Sequence, residues 1–63
     1  MVLSINDCIV SKDGSEYQLI AIEKHPSAIL SPDLIFRGQD GNDYQLPESM
    51  VMMMIENGVY SLI

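Results

Sequence analysis

Two Asp-Gly pairs, at 13-14 and 40-41, each interrupt a stretch of extended, strand-forming sequence, and the residues around them repeat. Asp13-Gly14-Ser15-Glu16-Tyr17-Gln18-Leu19 is echoed by Asp40-Gly41-Asn42-Asp43-Tyr44-Gln45-Leu46, with five of the seven positions identical. Asp-Gly between extended runs signals a β-hairpin, because a type I′ turn needs positive φ at both central residues and Asp and Gly tolerate it. Two-residue turns at these sites place Val10 opposite Tyr17 and Cys8 opposite Leu19. In the second hairpin they place Arg37 opposite Tyr44 and Ile35 opposite Leu46. Each hairpin then carries a Tyr-Leu pair on one face. The other face holds Ile5, Ile9, Ile20 and Ile22 in the first hairpin and Leu34 and Phe36 in the second. Neither hairpin is one-sided, and both require cover.

Between them, Lys24-His25-Pro26-Ser27-Ala28-Ile29-Leu30-Ser31-Pro32 contains two prolines and reads as a connector, since proline is excluded from central strands. Ala28-Ile29-Leu30 is its apolar portion, suited to packing on the core. Ser31-Pro32-Asp33 has the form of a helix start, yet Leu34-Ile35-Phe36 is short and rich in β-formers, which favours a strand. Beyond Leu46, residues 47–58 open with Pro and Glu, continue through helix formers and close on Asn-Gly, the pattern of a short capped helix over 48–56. The competing reading is a third hairpin turning at Asn57-Gly58. The helix, followed by a last strand over 59–63, is preferred.

Four or five short antiparallel strands with one helical turn define a mainly β, single-domain chain. It has the layout of a small SH3-like barrel or of two packed hairpins. That likeness is architectural only: the chain has no Trp, and no cluster of exposed Tyr is expected.

Composition changes the picture in one respect. For 63 residues and 7.0 kDa, size scaling gives roughly 4,000 Å² exposed when folded, against about 10,000 Å² unfolded. Apolar burial then contributes on the order of 90 kcal/mol, and ordering the chain costs about the same. Small domains in this position add disulfides, a metal or a partner subunit. Cys8 is the only cysteine and His25 the only histidine, so an internal disulfide is excluded and a dedicated zinc site disfavoured. Self-association is left. The sequence is 48% hydrophobic with a mean hydropathy of +0.16, which also argues for apolar surface that meets a partner. The longest apolar run, Met50 to Ile55, is far below the ~20 residues that cross a bilayer. The first residues lack the features of a secretory signal, and a lone thiol suits a reducing compartment, so a cytoplasmic location is expected.

Charge narrows the partners. Nine carboxylates against Lys12, Lys24 and Arg37 give a net charge of -6 and a pI near 4.2. Direct nucleic-acid binding draws on clustered Lys and Arg, and three scattered basic residues supply no such patch. The acidity serves solubility and, in the sharper reading, attracts a basic protein surface. Asp40 and Asp43, at the second turn, are the candidate partner-facing carboxylates.

No residue pattern points to catalysis. Cys8 sits between Asp7 and Ile9, without a neighbouring base or positive field to activate it, and reads as a buried structural thiol. His25 precedes a proline in the connector and reads as solvated. Asp40 and Asp43 lack the alternating ligands of a calcium loop, the glycines are dispersed as turn residues rather than grouped around a phosphate, and the contiguous methionines suit core or interface filling rather than copper binding. No enzyme activity, cofactor or metal is expected.

Two function classes remain. One is a small acidic interaction module that binds another protein, as regulators and inhibitors encoded on phages and mobile elements do. The other is a structural or assembly protein acting as a homo-oligomer. For the latter, a helix over Met50 to Ile55 points apolar residues in all directions, leaving Met52, Met53 or both outward. The last strand has no charge to blunt its edge. A homodimer is expected with Met52, Met53, Val59, Tyr60 and Leu62 at its interface.

Overall fold

The computed structural model describes residues 3–27 and 30–63. Five strands and one helix follow in the order β1 (Cys8–Ser11), β2 (Glu16–Glu23), β3 (Asp33–Gly38), β4 (Asp43–Pro47), α1 (Glu48–Glu56) and β5 (Tyr60–Leu62). The strands form one antiparallel sheet, ordered β4-β3-β2-β1-β5. Both expected hairpins are present, side by side. The sheet is not closed into a barrel: β4 and β5 are its outer strands, and α1 connects one to the other.

The turns differ from the expected type I′ form. In the first, the Gly14 N–H donates to the Ser11 carbonyl at 3.0 Å and the Ser11 N–H to the Ser15 carbonyl at 2.9 Å. In the second, Gly41 donates to Gly38 at 3.0 Å and Gly38 to Asn42 at 2.9 Å. Each loop therefore has three residues, with φ positive only at its glycine, 90° at Gly14 and 81° at Gly41. This is the G1-bulge form of hairpin. The aspartates support it. Asp13 accepts the Ser15 N–H at 2.9 Å and Asp40 the Asn42 N–H at 3.0 Å, so each side chain closes a local turn over its own backbone.

One residue more in each loop moves the register by one, and that inverts the facing. Ile9, rather than Val10, stands opposite Tyr17, and Phe36, rather than Arg37, stands opposite Tyr44. Likewise Cys8 faces Gln18 rather than Leu19, and Leu34, rather than Ile35, faces Leu46. Residues that face one another across a ladder share a side of the sheet. Ile9, Tyr17, Leu19, Leu34, Phe36, Tyr44 and Leu46 accordingly lie on one face, and the sheet is one-sided where the two-residue turns implied it was not. A bulge between Leu19 and Ala21 makes the fit between hairpins, because Ile20 is the extra residue and Leu34 stays aligned with Ile22.

The core consists of Leu3, Ile9, Leu19, Leu34, Phe36 and Val51, with Leu46, Met52 and Ile55 packed against it. Val51 is the fully buried residue of α1, which packs on β4 and β5. The helix is capped from outside itself. Pro47 supplies no side-chain cap, and the first free N–H groups instead go to the connector: Glu48 N–H to the Pro32 carbonyl at 2.8 Å and Ser49 N–H to Ser31 Oγ at 3.4 Å. Ser31 thus caps a helix, though not the one its own Ser-Pro-Asp sequence suggested. At the other end Gly58 N–H reaches the Ile55 carbonyl at 3.1 Å and Val59 N–H the Met54 carbonyl at 2.8 Å, a Schellman ending. Asn57-Gly58 therefore stops a helix and makes no third hairpin. In the connector, Ala28 and Ile29, expected on the core, lie outside the described residues. Leu30 is 56% exposed, so the expected packing is not made there.

Candidate functional site

The helix covers the core side of the sheet only in part. Toward the two turns that side carries three tyrosines from three strands: Tyr44 on β4, Tyr17 on β2 and Tyr60 on β5. The Tyr17 and Tyr44 ring centroids are 5.7 Å apart at 89°, and those of Tyr17 and Tyr60 are 6.1 Å apart at 68°. Both are edge-to-face pairs of the kind favoured by the ring quadrupole. With Ile9, Phe36 and Leu46 the three rings line a recess of about 120 Å³.

Small residues beside Tyr17 allow the rings to meet. Gly38 lies opposite Tyr17 across β2 and β3, and Ser11 lies opposite Tyr60 across β1 and β5. A methyl group at position 38 would come within 3.1 Å of Tyr44 Cε2 and 3.4 Å of Tyr17 Cε1. Ser11 and Gly38 occupy equivalent places in the two hairpins, each closing its loop.

The two turn aspartates flank the cluster. The Tyr44 hydroxyl donates to Asp40 Oδ2 at 2.6 Å. That bond and those from Asn42 hold the Asp40 carboxyl below its ordinary range, and the same bond to Asp40 pushes the Tyr44 phenol up. Asp13 is likewise lowered, first by the Ser11 hydroxyl and then by the Ser15 N–H. Burial raises the Tyr60 phenol, with smaller contributions from the fields of Tyr17 and Asp13. At neutral pH the Tyr44 and Tyr60 phenols are therefore neutral beside the ionised Asp40 and Asp13 carboxylates.

The residues singled out by sequence do not come together in one place. Asp40 belongs to the tyrosine end, whereas Asp43 is engaged by Arg37, Nε to Oδ1 at 3.0 Å, on the opposite face of the sheet. Met53 is 58% exposed on α1, and Val59 and Leu62 are exposed, but Met52 packs against the core. Tyr60 is half-buried and joins the tyrosine cluster. Cys8 is half-buried rather than buried, with its thiol directed at the Asn6 carbonyl at 3.8 Å. His25 Nε2 lies 3.3 Å from Asp33 Oδ1 rather than being simply solvated. Among the described residues, no group of His, Cys, Asp and Glu is arranged to hold a metal ion, and no helix is long and apolar enough to cross a membrane.

The expectation of no exposed tyrosine cluster is overturned, because the register brings Tyr17 and Tyr44, neither of them a candidate from the sequence, to one face beside Tyr60. The signal was present in the repeat, which puts each tyrosine three residues after its turn glycine. No protein-family model matches this chain, and neither a curated protein nor a solved structure matches it.

Proposed function

We propose that this protein is a small acidic interaction module that binds a basic segment of another protein through the tyrosine end of its sheet. The observation that carries this reading is the gathering of Tyr17, Tyr44 and Tyr60 on a part of the core face that no described element covers, between the ionised Asp13 and Asp40. Aromatic rings are the residues that carry energy at interfaces, and acidic groups at the rim steer a basic partner. Glu16 adds to the negative charge of this end, while Arg37 is committed to Asp43 and leaves Lys12 as the opposing cation. The net charge of -6 works in the same direction over longer range. Binding rather than catalysis also accords with the chemistry elsewhere, since the Cys8 thiol faces a backbone carbonyl and the His25 imidazole an aspartate.

The test is titration with deca-arginine at low and high salt. Affinity should fall as salt screens the charges, and Asp13→Asn with Asp40→Asn should weaken it while Glu23→Gln with Glu56→Gln leaves it nearly unchanged. Equal losses from both pairs would reduce the interaction to bulk charge and remove the proposed surface.

A second reading, a homo-oligomer with a structural role, is favoured by a different set of residues. Met53, Val59, Leu62 and Ile63 are 58%, 40%, 45% and 71% exposed, and β5 is an outer strand of the sheet, paired among the described strands with β1 alone. Light scattering coupled to size exclusion, on wild type and on Met53→Glu, tests it: a dimer abolished by the substitution supports this reading, and a monomer in both removes it.

A further inference from the structure

We propose that the recess between Tyr17, Tyr44 and Tyr60 receives a single lysine or arginine side chain of the partner. This inference rests on the interaction-module reading and names the group that reading leaves open. The recess holds about 120 Å³, well under the roughly 300–1,000 Å³ of sites that take a drug-sized ligand or cofactor. Its size fits one side chain. Its floor is apolar, from Ile9, Phe36 and Leu46, and its walls are three tyrosine rings set at steep angles to one another.

That combination suits a side chain with an aliphatic stem and a cationic head. The stem lies on the apolar floor, and the head meets aromatic rings, whose faces attract cations. Charge placement selects the cation over a plain aliphatic group. Tyr44 donates its hydroxyl proton to the Asp40 carboxylate at 2.6 Å, which enriches its ring in electron density, and Asp13 acts on Tyr60 from the other flank. A second copy of this chain is a poor occupant, because each copy carries a net charge of -6.

The experiment is an NMR titration with capped pentapeptides, Gly-Gly-X-Gly-Gly, in which X is arginine, lysine, citrulline or norleucine. The arginine and lysine peptides should move the ring signals of all three tyrosines saturably, with citrulline and norleucine roughly tenfold weaker. Tyr44→Leu, which keeps an apolar wall and removes the ring, should weaken the cationic peptides roughly tenfold. Should that variant lose its dispersed amide spectrum, Asp40→Asn gives the same comparison, with the cationic peptides weakened and norleucine unchanged. Norleucine binding as well as arginine overturns the proposal in favour of an apolar pocket. Ring signals that no peptide moves overturn it as well. If deca-arginine nevertheless binds in the Asp13- and Asp40-dependent way described above, the interaction surface stands without the recess. If deca-arginine fails too, both readings fall.

Discussion

Tyr17 and Gly38 stand opposite each other in the β2–β3 ladder, and the missing side chain at 38 is the space through which Tyr44 leans across β3 to reach the Tyr17 ring. A Cβ at that position would lie 2.8 Å from Asp40 Oδ1 and 3.1 Å from Tyr44 Cε2. Both contacts belong to the partners of one hydrogen bond, so the position controls the aromatic cluster and its carboxylate together. Gly38→Ala should displace the Tyr44–Asp40 pair and cost roughly 1–3 kcal/mol, the range for overpacking. For a domain of this size that is a fall in Tm of roughly 5 °C or more. Thermal unfolding and the Tyr44 ring shifts check this, and an unchanged Tm with an unchanged ring environment would contradict it.

The second hairpin turn gives a separate prediction. Gly41 has φ of 81° and open space where a Cβ would be, so a substitution there meets a backbone penalty and no clash. Gly41→Ala should destabilise by about 1–2 kcal/mol. Gly41→Asn should lose less, because Asn tolerates the left-handed region. Urea unfolding of both variants measures the difference, and equal losses would mean that the glycine serves something other than its φ.

Leu34 is fully buried in the core, whereas Met53 on α1 is 58% exposed. Leu34→Ala should cost roughly 2–5 kcal/mol, a large part of the roughly 3–9 kcal/mol that a chain of this length commands. Met53→Ala should change monomer stability by no more than about 0.5 kcal/mol. Denaturant titration at low protein concentration separates the two, and a large loss from Met53→Ala that grows with concentration would point to an interface.

Acid stability follows from three aspartates. Asp13, Asp33 and Asp40 are all held below the ordinary value of 3.8. For Asp33 the chief cause is the Gln45 side-chain amide, which donates at 2.8 Å, with His25 second. A carboxyl lowered by folding contributes stability that is complete above its unfolded value and is lost as pH falls through its folded value. Stability should therefore hold from neutral pH down toward 4 and decline below 3.8. Urea midpoints across that range test it, and Asp33→Asn should shallow the decline. A midpoint that rises below 3.8 would mean that relief of the net charge of -6 outweighs these bonds.

The elements were legible because their signals are local. Asp-Gly pairs mark chain reversal, prolines exclude a strand from the connector, and the run from Glu48 to Glu56 ends on residues that close a helix. What an Asp-Gly pair does not state is whether the loop has two residues or three, because Asp and Gly serve both forms. That single residue decided which side of the sheet each residue occupies. The tyrosine cluster depends on the decision: with two-residue turns Ile9 and Phe36 would lie on the face opposite Tyr17 and Tyr44, and the recess would lose two of the three apolar residues of its floor.

By itself the sequence determined the two Asp-Gly hairpins, the acidic balance and the repeat that sets Tyr17 and Tyr44 in equivalent places, and it favoured a helix over a third hairpin after Pro47. These are properties of short segments and of summed charge, and they need no knowledge of what lies across the sheet. Tertiary structure alone decided the common face of Ile9, Tyr17, Phe36 and Tyr44, the capping of α1 by Ser31 and Pro32, and the arrival of Tyr60 beside Tyr17. Each joins residues far apart in the chain. Such contacts are set by strand register and by where the free N–H groups at a helix start find acceptors, and both are settled only when the strands pair and the core closes.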